Sequence, residues 1–239
     1  EIGAAIGREL RAAGGNFFGG VCVNLLRHPA WGRAQETYGE DPLHVGTMGA
    51  ALARGAQRYV MACVKHFACN SIENARFKVD VEVDERALHE VYLPHFRQVV
   101  AAGVVSVMSA YNSLNGEWCG QNEMLLTRVL REEWGFEGFV VSDFQFGLRD
   151  AAASVRAGLD IEMPYRQVRA RDLPAALADG RLDEAAVDAC VDRIVATFLR
   201  FAAVFRPAES STEVAGGAHR ALAQEAARRS IVLLQNDGG

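Results

Sequence analysis

Apolar positions along the chain fall into two patterns that take turns. Residues 1–13 repeat apolar side chains at helical spacing and stop at Gly14-Gly15, which predicts an amphipathic helix ended by glycine. Residues 21–26 then form a short continuous apolar run, the signature of a buried strand. The same alternation predicts a helix over 44–58, a strand over 60–65, a helix over 85–101 and a strand over 104–109. A helix from Asn122 through Glu133 follows, then strands over 138–143 and 159–163 and helices over 169–179 and 183–203. Asp84 stands where it can cap the 85–101 helix, whose Leu88, Val91, Tyr92, Phe96, Val99 and Val100 share one side. Val187, Cys190, Val191, Ile194, Val195 and Phe198 make a stripe of period 3.6 on the last helix.

Strands that read as continuous apolar runs are buried on both faces, as in parallel sheets. Repeated strand–helix units without a hairpin signal predict an α/β fold, either a barrel or a doubly wound sheet. The polar residues favour the barrel. Lys65-His66, Ser109 with Tyr111, Asp143 and Glu162 lie at or just beyond strand C-termini, which converge on one mouth in a barrel. An open sheet would instead gather ligand groups at a switch point, often with a glycine-rich phosphate loop, and no such loop occurs. The expectation is a truncated (β/α)8 TIM-type barrel over 1–205, with five strands read out of the eight of a full barrel. Its first units are expected to precede residue 1, because the chain opens inside an amphipathic pattern that is no signal peptide. Residues 206–217 read as a linker, 218–229 as a helix and 230–235 as a strand. Residues 218–239 are therefore expected to start a second α/β domain that is also cut.

Composition narrows the classes. Half of the 239 residues are hydrophobic, and 25 basic against 30 acidic residues give a net charge of −5 without a basic cluster. Nucleic acid is therefore not an expected partner. No apolar run approaches about 18 residues, so no membrane-spanning helix is expected. Cys22, Cys63, Cys69, Cys119 and Cys190 form no C-x-x-C pair, and no histidine stands at zinc-finger spacing from them. They read as buried free thiols of a reducing compartment, which favours the cytoplasm; no metal or cofactor is expected.

Asp143 carries the clearest chemical signal. It ends an apolar strand, where a carboxylate contributes nothing to packing and needs cations or donors to stay ionised. Such a group is a nucleophile, or else a cap for a helix over 144–156, and the spacing alone leaves both open. Lys65 and His66 are adjacent, so on an ideal strand they would face opposite sides, and both reach one site only if the backbone is distorted.

The ordered stretches Arg27-His-Pro-Ala-Trp-Gly-Arg33, Glu36-Thr-Tyr-Gly-Glu-Asp-Pro42, Lys65-His-Phe-Ala-Cys-Asn70, Arg76, Ser106-Val-Met-Ser-Ala-Tyr-Asn112, Asn115-Gly-Glu117 and Gly138-Phe-Val-Val-Ser-Asp143 resemble glycoside hydrolase family 3, of the β-glucosidase type. The likeness runs from residue 1 to about 164 and continues more weakly beyond. It implies a barrel followed by an α/β-sandwich domain, with the active site between them. It implies a retaining exo-β-glycosidase acting on terminal β-linked sugars, with Asp143 as the nucleophile that forms a covalent glycosyl intermediate. Arg33, Lys65, His66, Arg76, Met108, Tyr111 and Phe144 then bind substrate, with Lys65 and His66 both donating to sugar hydroxyls. Met163 would also line the pocket, and Glu36 and Glu40-Asp41 would be partners of the arginines or turn residues. The acid/base glutamate would belong to the second domain and is expected outside this chain, so that domain completes the site and the chain alone is expected to be inactive.

The sequence also departs from the family pattern. Phe144 occupies the place of the usual tryptophan, and His28 and Ala30 replace the usual aspartate and arginine. The family's early Asp-Gly-Pro segment has no counterpart, and residues 67–79 lack the histidine of the N-acetylglucosaminidase branch. Two other functions fit the residues: an inert sugar-binding fragment, and a Schiff-base enzyme using Lys65.

Overall fold

The computed structural model describes residues 1–206 and 214–238, so most of the expected linker lies outside the described residues. In chain order the main elements are α1 (Ile2–Ala12), β1 (Phe17–Cys22), α2 (Pro42–Ala56), β2 (Met61–Phe67), β3 (Asp80–Val81), α3 (Glu85–Ala87), α4 (Pro94–Ala101), β4 (Ser106–Ser109), β5 (Ser113–Leu114) and β6 (Glu117–Trp118). Then come β7 (Phe139–Val141), α5 (Ala151–Arg156), α6 (Val168–Ala178), α7 (Glu184–Arg200) and α8 (Gly217–Ser230). A π-helical segment, Leu88–Tyr92, joins α3 to α4, and a longer one, Met124–Glu133, precedes β7. Asp84 caps α3 through the Ala87 N–H, and Asn122 accepts the Leu125 N–H at the start of the Met124–Glu133 segment.

The strands β1, β2, β4 and β7 form one parallel sheet in that order. Alternate residues serve its two faces, and both are apolar. Val21, Ala62, Val64, Val107 and Val140 pack with α2, α4 and the π-helical segment before β7. Met61, Cys63, Val105, Met108, Phe139 and Val141 pack on the opposite face with Ile194 and Phe198 of α7, and with Phe201 and Val204 beyond it. Burying both faces explains why these strands read as continuous apolar runs.

The fifth expected strand, 159–163, is reduced to one parallel bridge between Val141 and Ile161. The first strand is shifted: β1 begins at Phe17 and ends at Cys22, because Gly19-Gly20 lie inside it and carry no apolar signal. A second sheet, β3-β5-β6, contains an antiparallel hairpin, contrary to the absence of a hairpin read from the sequence. Its turn is Asn115-Gly116, both at positive φ (50° and 90°), the conformation of a two-residue hairpin loop. Two-residue strands are too short to show a period of two, so only this dipeptide marked them.

The strand expected over 230–235 does not form: Ser230 ends α8, and Ile231 to Leu234 lie exposed beyond it, paired with no strand. On α7, Cys190, Ile194 and Phe198 face the protein, while Val191 and Val195 of the expected stripe are about half exposed. Asp160 ties this region together. Its buried carboxylate receives Arg131 at 2.7 Å and Arg193 of α7 at 2.8 Å, and accepts the Val140 N–H at 2.6 Å. No described helix is long and apolar enough to cross a membrane. All five cysteines are buried and unpaired, and no cluster fit to hold a metal ion occurs among the described residues.

Candidate active site

The C-terminal ends of the parallel strands surround a cavity of about 490 Å³, within the range of small-molecule sites. Its lining contains Arg33, Lys65, His66, Arg76, Met108, Tyr111, Asp143 and Phe144, every residue proposed from the sequence for nucleophile or substrate contact. Phe17, Gly19 and Met163 complete it. Met108 stands within β4, Tyr111 just past its end and Asp143 just past β7, while Arg33 and Arg76 reach in from the loops after β1 and β2. Lys65 and His66 both line the cavity, and the register of β2 against β4 shifts between Val64 and Phe67, so the backbone departs from an ideal strand here.

Asp143 does not cap a helix. Asp150 caps α5 through the Ala153 N–H at 2.7 Å, and residues 144–150 form the turn between. That turn is tight: Gln145 and Phe146 have positive φ, and a Cβ on Gly147 would lie 2.1 Å from the Asp143 carbonyl oxygen. The carboxylate is buried. Its Oδ1 accepts the Phe144 N–H at 2.7 Å, its Oδ2 has no hydrogen-bond partner, and His66 Nε2 stands 3.7 Å from Oδ2. Burial pushes Asp143 up to about 6 from its ordinary 3.8, against the Phe144 N–H, the Arg33 charge, Tyr111 and the Lys65 charge. Burial likewise holds the His66 imidazole well below its ordinary 6.5, reinforced by the charges of Arg33, Lys65 and Arg76. It raises the Tyr111 phenol, with the charge of Asp143 acting in the same direction.

The two arginines are held from behind. Glu36 receives Arg33 through two hydrogen bonds of 2.8 and 2.7 Å, a bidentate pair that keeps the guanidinium charged. Glu73 pairs with Arg76 at 2.8 Å, a partner the sequence reading missed because nothing in the 71–76 loop marks it. Arg76 also stacks: its guanidinium carbon lies 4.8 Å from the ring centroids of both Phe77 and Tyr111. Phe77 meets Tyr111 edge-on at 4.7 Å and Phe146 at 5.7 Å, which builds an aromatic rim beside half-exposed Phe144. Asp41 does not touch the arginines; it caps α2 through the His44 N–H. Glu162, grouped with the site by its place after a strand, instead accepts the N–H groups of Gln167, Val168 and Arg169 and caps α6. Ser109 is buried in β4 without a hydrogen-bond partner and does not line the cavity.

One buried carboxylate ringed by two arginines, a lysine, an imidazole and a phenol, with aromatic edges, suits a polyhydroxylated, uncharged ligand. The glycosyl hydrolase family 3 N-terminal domain model matches residues 1–197, and this chain belongs to that family. It is 39% identical over 243 residues to thermostable β-glucosidase B of Acetivibrio thermocellus, covering 99% of this chain and 31% of that protein. It is 40% identical over 244 residues to a β-glucosidase of Rhizobium radiobacter, covering 100% of this chain and 30% of that one. Among solved structures, β-glucosidase 3B of Thermotoga neapolitana in complex with α-D-glucose superposes with a TM-score of 0.91 at 38% identity, covering 100% of this chain and 34% of that one. The chain thus spans about a third of the length of the relatives it matches.

Proposed function

We propose that the protein carrying this chain is a retaining exo-β-glycosidase that removes terminal sugars, glucose or a close relative, from β-linked oligosaccharides and glycosides. The observation that carries this reading is the buried Asp143 carboxylate in one cavity with two arginines, a lysine, an imidazole and a phenol. Burying a carboxylate costs energy, and a site that keeps one uses it. In the proposed reaction Oδ2 attacks the anomeric carbon, an ester bond forms to Asp143, and the glycosidic carbon–oxygen bond breaks. The departing oxygen takes a proton from an acid, and water later cleaves the ester with that same group acting as base. Lys65, Arg33, Arg76 and Tyr111 contact sugar hydroxyls, Met108 and Phe17 pack on the ring, and Phe144 flanks the leaving group.

Retention requires a second carboxyl about 5–5.5 Å from the first. Among the described residues lining the cavity Asp143 is the single carboxylate, and Glu36 and Glu73 are committed to arginines. We therefore assign the acid/base to a domain outside this chain, an α/β sandwich entered from residue 218. The parallel strands with their shared C-terminal mouth are the part of a (β/α)8 barrel that residues 1–205 contribute. The relatives' names support glucosides as substrates, and the glucose in the Thermotoga complex supports a terminal sugar. The test is turnover of aryl and disaccharide β-glucosides by the full-length protein and its Asp143→Asn variant. Loss of activity with the fold retained is expected; a variant hydrolysing near the wild-type rate would exclude Asp143 as nucleophile.

A further inference from the structure

Asn24, just past β1, is fully buried beside His66 and does not itself line the cavity. Its carboxamide meets His66 three times. Nδ2 donates to the His66 carbonyl at 2.8 Å, Oδ1 accepts the His66 main-chain N–H at 2.8 Å, and Oδ1 lies 3.1 Å from His66 Nδ1. The two main-chain bonds fix the orientation of the amide, because a flip would set hydrogen against hydrogen and oxygen against oxygen. The atom facing Nδ1 is thus an acceptor, so Nδ1 carries a proton. A neutral imidazole has only one, which leaves Nε2 with a bare lone pair. The ring has reason to be neutral, since it is buried among Arg33, Lys65 and Arg76. Thr37 anchors the arrangement by donating its hydroxyl to the Asn24 carbonyl at 2.6 Å.

This changes what His66 offers a ligand. Nε2 stands 3.7 Å from Asp143 Oδ2, and an ionised carboxylate is also an acceptor. Two acceptors at that separation leave a place for one hydroxyl oxygen within hydrogen-bond reach of both, its hydrogen going to one of them. Lys65, with three N–H donors, has the opposite character.

We propose that Asn24 is a positioning residue that locks His66 in its Nδ1-protonated form, so that Nε2 accepts a hydrogen bond from a substrate hydroxyl beside the nucleophile instead of donating one. The proton on Nδ1 stands on the amide geometry and the bare Nε2 on the burial of the ring among cations; the hydroxyl contact rests on the glycosidase reading. The test uses the full-length protein with ¹⁵N-labelled histidine rings, His66 being assigned by difference from His66→Gln. In the wild type, Nδ1 should resonate as a protonated and Nε2 as an unprotonated nitrogen at neutral pH. Asn24→Asp sets a negative charge against Nδ1 and favours the imidazolium, so Nε2 should gain a proton. With Nε2 turned from acceptor to donor, kcat/KM on a β-glucoside should fall about tenfold, the worth of one such hydrogen bond. That penalty should vanish for the monodeoxy glycoside lacking the hydroxyl concerned. A wild-type His66 protonated on Nε2 and bare on Nδ1 would overturn the proposal without any variant having to fold. An Asn24→Asp protein with an unchanged ring spectrum and unchanged kcat/KM would overturn the role of Asn24. A protein inert toward every glycoside, yet with the expected wild-type spectrum, would overturn the hydroxyl contact and the proposed function while leaving the tautomer in place.

Discussion

Replacing Asp143 by asparagine should make the folded protein more stable at neutral pH, although it removes the proposed nucleophile. The carboxyl is buried, has one main-chain donor on Oδ1 and none on Oδ2, and holds its proton up to about 6 instead of 3.8. A carboxyl whose folded pKa is raised binds its proton more tightly in the native state than in the unfolded chain. Its favourable contribution is complete below about pH 4 and is lost as pH rises to about 6. A gap of a little over two pH units, at about 1.36 kcal/mol each, amounts to about 3 kcal/mol. Asparagine has similar shape and no charge to desolvate. Denaturant unfolding of wild type and Asp143→Asn at half-unit steps from pH 4 to 7.5 measures the difference. The two should be similar near pH 4, diverge between 4 and 6, and differ above pH 6.5 by a plateau of about 1–3 kcal/mol in favour of the variant. A variant less stable than wild type at pH 7, or a difference independent of pH, would refute the view that burial outweighs the donors and cations around this carboxyl.

Three further outcomes follow from the same structure. Because only ionised Asp143 can attack, kcat/KM for β-glucosides should fall about tenfold per pH unit below an acid limb near 6, which Asp143→Glu should displace; pH–rate profiles check this. Asp160→Ala strands Arg131 and Arg193 without their shared partner and should cost about 3–5 kcal/mol in denaturant unfolding, whereas a loss below about 1 kcal/mol would show the pair to be dispensable. The 239-residue chain by itself, whose cavity holds Asp143 as the single carboxylate among the described lining residues, should not turn over p-nitrophenyl β-glucoside above buffer. A rate that is well above buffer and is lost in Asp143→Ala would contradict the placement of the acid outside this chain.

What could be read beforehand depended on the range of the physics involved. Hydrophobic period is local, so the helices and the four paired strands were legible from runs such as 60–65 and 104–109. Where a strand carries glycine, as at Gly19-Gly20, the run starts late and Phe17 goes unnoticed as a wall of the cavity. Pairing is not local. Residues 230–235 have the composition of a strand and pair with none, and 159–163 reach only one bridge. The π-helical stretches bury the same apolar side as an α-helix would, so Leu88–Tyr92 and Met124–Glu133 leave no trace in the pattern. For the site, motif order named the residues that meet around the cavity, but their supports were invisible. Glu73 behind Arg76 and Asn24 behind His66 are set by loops that approach in space, and neither stands at a spacing that marks it. Glu162 shows the reverse error, since an acid after a strand is also what a following helix N-terminus recruits.

The central claim is that Asp143 forms a covalent bond to the substrate's anomeric carbon. A 2-fluoro β-glucoside with a good leaving group should trap that ester in the full-length protein, and peptide mass mapping after proteolysis should find one glycosyl adduct, on Asp143 in the segment Gly138 to Gly147. An adduct on any other residue, or unimpeded turnover of glucosides by a protein that never acquires one, would contradict the account.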